Sequence, residues 1–168
     1  MAHDEDLLLA LLNSAPVVDG KPADTLAGDA GRDMVDRFDG TGSAAELDHL
    51  RRMRDVLHDV IRGDDGAVSR LDALLAGATR VPQTTATGIH WQLRVPADRL
   101  LAVRAAEAWS DVTGQLPGRL RPCANDECNL FLIDHSRPGT AKWCSMATCG
   151  NRMKVRAHSQ RKRAAVSA

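Results

Sequence analysis

Cys123, Cys128, Cys144 and Cys149 stand in the last third of the chain as two C-x4-C pairs separated by fifteen residues. One tight turn can present two thiolates, and a chain that folds back brings up the second pair to close a tetrahedron around one cation. Four soft thiolates suit Zn2+, which brings no redox chemistry of its own. Disulfides are the competing use of such thiols, and they need an oxidising compartment. The N-terminus Met1-Ala-His-Asp-Glu-Asp is acidic where a secretory signal is basic. The apolar run Leu7 to Leu12 is too short for a signal core or a membrane span. A redox dithiol would ordinarily have two intervening residues in a βαβ setting, which is absent. The expectation is a cytoplasmic chain, off the membrane, with structural Zn2+ held by Cys123, Cys128, Cys144 and Cys149.

The remaining candidates for chemistry are weaker. His49 and His58 lie nine residues apart on one expected helix, a spacing that does not put them on one face. His90 falls on the outward side of an expected strand. No serine, cysteine or carboxylate pair has a defensible nucleophile–base spacing. These histidines are expected at the surface, and the chain is not expected to be an enzyme.

The 168 residues carry no net charge, but the balance is uneven along the chain. From Arg119 onward there are ten Lys/Arg against three Asp/Glu, and the first 118 residues carry twelve against nineteen. An acidic body and a basic end meant for a polyanion fit that division.

The body reads as mostly helical α+β. Ser43 and Glu46 have the spacing of a capping box, in which each side chain satisfies a backbone N–H of the other residue. Leu47, Leu50, Met53, Leu57, Val60 and Ile61 follow at helical spacing, with Gly63 as the stop. After the Asp64-Asp65-Gly66 turn, Asp65 is expected to cap a helix with Val68, Leu71, Leu74 and Leu75 on its apolar side. A third helix is expected from Pro96 to Gly114, with Ala97, Leu101, Ala105, Ala108 and Val112 as its core stripe. Ile89, Trp91, Leu93 and Val95 alternate with polar residues as in a half-buried strand. Residues 80 to 86 are its expected partner across Thr87-Gly88, with Pro82 confining that partner to an edge. Leu7 to Leu12 can be a buried helix or a buried strand.

Between the cysteine pairs, Leu130 to Ile133 is a short apolar run and Ser136-Arg137-Pro138-Gly139 is turn chemistry. These predict a hairpin that brings Trp143 near Phe131 or Ile133. So small a module needs its metal, since zinc binding contributes about 10–16 kcal/mol to such folds. A helix is expected after Cys149 to about Arg163. It carries Arg152, Lys154, Arg156, Arg161, Lys162 and Arg163, no acid, and a thin apolar stripe of Met153, Ala157 and Ala164. The four-thiolate zinc is the internal counter-anion for Arg152 and the helix N-terminus. The distal cations have no such partner and call for nucleic-acid phosphate.

The segment Cys123-Ala-Asn-Asp-Glu-Cys128-Asn-Leu-Phe-Leu-Ile-Asp134, with Ser136-Arg137 and Trp143-Cys144-Ser-Met-Ala-Thr-Cys149-Gly150-Asn151-Arg152, closely resembles the CGNR zinc-finger family, named for the tetrapeptide at 149–152. Leu9-Ala-Leu-Leu-Asn13-Ser14 with Asp19-Gly20 is similar to the start of the ABATE domain, a stress-induced regulatory domain that precedes the finger in family members. The resemblance implies a bacterial transcription regulator, in which Cys123, Cys128, Cys144 and Cys149 are the zinc ligands and the basic helix contacts DNA. By this reading the chain divides into an ABATE-like domain at 1–118, a CGNR finger at 119–163 and a disordered tail at 164–168. Trp143, Asn151 and Arg152 would fix the helix on the metal knuckle, and the regulator would be able to form a homodimer. Two other roles fit the same residues: a zinc-stabilised protein-interaction module, and a small-molecule sensor with its effector near Trp91 or Trp109. RNA is a further polyanion, although two Phe and no Tyr leave few platforms for stacking bases.

Overall fold

The computed structural model describes residues 2–166, with side chains described for residues 3–162. Helix α1 spans Ala2–Leu12. Its Leu7, Leu8, Leu11 and Leu12 are fully buried, so the run that left helix and strand open is a core helix. Asp19 (φ 50°) and Gly20 (φ 75°) then turn the two-residue strands β1 (Val17–Val18) and β2 (Lys21–Pro22) back on each other. Positive φ at both central positions is what a tight hairpin demands. Helix α2 covers Asp29–Arg37.

Helix α3 (Ala44–Arg62) is the spine of the body. Ser43 Oγ accepts from the Glu46 N–H at 3.1 Å, which is half of the expected capping box. The other half differs. Glu46 is fully buried, and its Oε2 accepts from the N–H groups of Thr41 and Gly42 at 2.6 and 2.9 Å rather than from Ser43. The carboxylate therefore braces the incoming loop. Gly63 ends the helix in the left-handed conformation, at φ 87°.

Helix α4 (Asp65–Leu75) is capped by Asp64, whose carboxylate accepts from the Gly66 N–H at 2.9 Å, so Asp65 is its first residue and not its cap. Leu71 is buried as expected, but Val68 faces solvent at 61% exposure and Ala67 takes the inner position. After a single 3-10 turn at Ala97–Arg99, helix α5 (Leu100–Gln115) buries Leu101, Ala105, Ala108 and Val112 on the anticipated stripe. Helices α1 and α3 both pack on α5, whose buried residues include the small Ala102, Ala105, Ala106 and Ala108.

Strands β3 (Thr79–Thr85) and β4 (Gly88–Arg94) form the expected antiparallel hairpin, with Pro82 opposite Trp91. Its expected buried face is not buried. Ile89 and Trp91 are 63% and 60% exposed, because among the described residues no second layer covers the outer part of the hairpin. At its base, Arg80 pairs with Glu107 of α5 at 2.8 Å. Among the described residues, no helix is long and apolar enough to cross a membrane.

Strands β5 (Leu120–Pro122) and β6 (Phe131–Ile133) pair antiparallel and pack on α3 and α1 respectively. The C-terminal hairpin thus forms around the first cysteine pair, not between the two pairs. Phe131, 1% exposed, belongs to the body's core, where its ring meets His58 at 4.5 Å and the Arg62 guanidinium at 4.8 Å. His58 is accordingly buried, contrary to its expected surface position. Helix α6, the last element, runs from Asn151 to Val166.

Candidate metal centre

Hydrogen bonds within the finger bring the cysteines together. The Cys123 N–H donates to the Leu130 carbonyl at 2.8 Å, extending the β5–β6 ladder to the first ligand. The Cys128 N–H donates to the Asn125 carbonyl at 2.8 Å, closing a turn that points both thiols the same way. The Ala124 N–H reaches the Lys142 carbonyl at 2.8 Å and ties the second pair alongside the first. Ser145 Oγ accepts from the Thr148 N–H at 3.3 Å, and the Gly150 N–H reaches back five residues to the Ser145 carbonyl at 3.0 Å. That bond defines a single π-helical turn, Met146–Gly150, which carries Cys149 into the cluster. Single π turns inside helical segments recur at functional sites.

The four sulfurs lie within 4.8 Å of one another, with Cys128 to Cys144 and Cys144 to Cys149 both 3.7 Å. Tetrahedral zinc with Zn–S bonds near 2.3 Å requires sulfur–sulfur edges of about 3.8 Å. Disulfide-bonded sulfurs would stand at about 2.05 Å. The cage therefore fits Zn2+, and the four cysteines are positioned to bind it. Burial pushes the Cys128 and Cys144 thiols up, and the neighbouring cysteines add to the effect at Cys144. Burial also opposes ionisation at Cys149, but the Asn125 amide and the adjacent thiols outweigh it and hold that thiol below its usual value. A divalent cation is what allows all four to be thiolates together.

Two residues without an assigned part in the sequence reading brace the module, one at the cage and one in the loop between the cysteine pairs. Asn125 is fully buried between the first two ligands, and its Nδ2 donates to the Cys149 sulfur at 3.5 Å. Its partner lies 24 residues away, so no local signal announces the bond. Asp134, 3% exposed, accepts from the N–H groups of Ser136 and Ala141 at 2.9 Å each and from Arg121 Nη2 at 2.7 Å. The Ser136 hydrogen bonds, with Ala141 and the Arg119 charge, outweigh the cost of burial and hold its carboxyl down to about 2. The Asp-x-Ser spacing of this Asx turn was legible in principle.

Residues 119–162 match the family model of the CGNR zinc finger. The match covers β5, β6, all four cysteines and most of α6, and the module is a zinc-binding one. No curated protein matches the chain. The residues that name the finger have distinct physical parts. Cys149 is a ligand. Gly150 leaves room that a side chain would fill, because a Cβ there would stand 2.9 Å from the Met146 sulfur and 3.2 Å from the Trp143 ring. Trp143 thus packs against the knuckle, while Phe131 turns to the body. Asn151 Nδ2 donates to the Ala147 carbonyl at 3.3 Å, stitching α6 to the π turn. Arg152 borders a cavity shared with Cys128, Cys144 and Cys149.

The basic residues are not equivalent. Arg156 Nη2 lies 2.6 Å from Glu127 Oε1, so it has a partner inside the finger where none was expected. Lys154, Arg161 and Lys162 are exposed, and among the described residues no acid pairs with them. The side chain of Arg163 and those of the expected tail at 164–168 lie outside the described residues; the α6 backbone continues to Val166.

Proposed function

We propose that this chain is a DNA-binding transcription regulator in which the zinc knuckle presents α6 to the phosphate backbone, with residues 1–118 acting as an ABATE-like regulatory body. One observation carries the reading. A helix free of acidic residues projects Lys154, Arg161 and Lys162 into solvent while its first turn is anchored on the metal knuckle. Like charges crowded on one helix are relieved by a polyanion, and a rigid base fixes the direction in which they point. Phosphate contacts of this kind set affinity and orientation without reading sequence. Arg152, whose neighbours are Glu127 and the ligand loops, serves the knuckle more than the groove.

The test is titration of the zinc-loaded protein with random duplex DNA at several salt concentrations. Each phosphate contact contributes a slope of about −0.9 in log affinity against log salt. The triple variant Lys154→Ala, Arg161→Ala, Lys162→Ala should therefore lose roughly 2.7 of that slope. An unchanged slope removes α6 from the interface. No binding by the wild type near physiological salt would instead favour a protein-interaction module docking on acidic surfaces.

A further inference from the structure

The four ligands are unequally protected. Cys123 and Cys149 are 7% and 4% exposed, whereas Cys128 and Cys144 are only half-buried. Between the finger and the loop after α1 lies an open cavity of about 190 Å3, lined by Pro16, Val17, Cys128, Cys144, Cys149 and Arg152. A single water needs roughly 10–15 Å3 by the same measure, so the cavity has room for a solute the size of hydrogen peroxide. The two half-buried sulfurs both border it, 3.7 Å apart, and come from opposite C-x4-C pairs.

We infer that Cys128 and Cys144 form a peroxide-oxidisable pair, reached through this cavity, whose oxidation dismantles the metal centre. The inference rests on the zinc reading and not on DNA binding. Oxidation of cysteine follows thiolate character and access; bound zinc would hold all four ligands as thiolates, so access singles out Cys128 and Cys144. One of the two thiolates attacks an oxygen of hydrogen peroxide and breaks the O–O bond. This gives a sulfenic acid and, with one proton from solvent, one water. The other thiolate then attacks that sulfur and closes the S–S bond. It expels hydroxide, which a second proton converts to water. Two thiolates thus give up two electrons, and one peroxide becomes two waters. Arg152 contributes a cation to the wall of the same cavity. A short approach suffices, since the sulfurs need only close from 3.7 Å to about 2.05 Å. The bond would join the two ligand loops directly and leave the cation with only the two protected ligands.

The experiment exposes reductant-free, zinc-loaded protein to graded hydrogen peroxide, blocks residual thiols with iodoacetamide, and maps disulfides by peptide mass spectrometry. Released zinc is followed in parallel with a chromogenic chelator. The expected result is a first disulfide between Cys128 and Cys144, forming in step with loss of the metal. A first disulfide that involves Cys123 or Cys149, or zinc release that precedes any Cys128–Cys144 bond, overturns the inference while leaving the zinc site intact as a reading. Protein that purifies under reducing conditions without zinc overturns both.

Discussion

Asn13 closes both outward hydrogen bonds of Phe131: the Phe131 N–H donates to Asn13 Oδ1 at 2.7 Å, and Asn13 Nδ2 donates to the Phe131 carbonyl at 3.2 Å. Phe131 lies opposite Pro122, and the flanking bonds from Cys123 to Leu130 and from Asp134 to Arg119 make this a pair whose polar groups point away from each other. A carboxamide carries the same donor and acceptor as a peptide unit, so Asn13 stands in for a missing strand. Asn13→Ala would leave two part-buried backbone groups unpaired, at a cost of about 2–4 kcal/mol. In a chain of this size that should lower the melting temperature by roughly 5–15 °C. Asn13→Asp should lose part of this stability, because a carboxylate still accepts from the Phe131 N–H but cannot donate to the Phe131 carbonyl. Calorimetry on the zinc-loaded variants checks both.

Asn125 donates a side-chain hydrogen bond to a ligand sulfur. Removing an outer-shell partner of a metal ligand typically weakens metal affinity by 10–100-fold. Asn125→Ala should show a loss of roughly that size in competition with a chelator of known affinity, with the body's helical signal retained. Asn125→Asp should be worse, since it sets a negative charge against a thiolate. Wild-type affinity in both variants would remove Asn125 from the site.

His58 makes the joint between body and finger sensitive to acid. Its Nε2–H donates to the Leu12 carbonyl at 2.8 Å, and its ring packs on Phe131. Burial holds its pKa below the usual value, with the Arg62 and Arg54 charges adding to the effect and the Leu12 carbonyl and Asp55 opposing it. The unfolded chain, titrating near 6.5, therefore takes up the proton before the folded one does. Stability is full above about pH 6.5 and falls as the pH drops below it, by at most about 1.4 kcal/mol per pH unit for one proton. The difference in unfolding free energy between wild type and His58→Gln isolates this from acid effects on the metal centre, because both variants keep the same cysteines. That difference should shift against the wild type between pH 7.5 and 5.5, and a constant difference would contradict the assignment.

Glu127 holds Arg156 in an ion pair at 2.6 Å, and under the proposed function it would compete with phosphate for that cation. The pair is exposed, and such surface ion pairs contribute little to stability. Glu127→Gln should leave the melting temperature nearly unchanged while freeing one cation. Under the proposed function, the salt slope should steepen by about 0.9 and affinity should rise at low salt. A slope equal to the wild type's would place Arg156 away from the phosphates.

The metal ligands were legible because identical soft donors at fixed spacing have few other uses in a chain of this kind. Ser43 and Gly63 bounded α3, and the Thr87-Gly88 region turned the β3–β4 hairpin, through bonds that span only a few residues. Such local chemistry is written in neighbouring positions. Tertiary structure alone decided which partner each group takes across tens of residues. Docking of β6 against α1 drew Phe131 into the body and buried His58, where the local pattern had placed the ring beside Trp143. The same folding brought Glu127 to Arg156 across 29 residues and Asn13 to Phe131 across 118. Periodicity gives Ile89 and Trp91 a common face, but whether another layer covers that face depends on where the helices end. Here none of the described residues covers the outer hairpin, so an alternating strand stays in solvent. Spacing encodes what a residue can do, and packing geometry selects what it does.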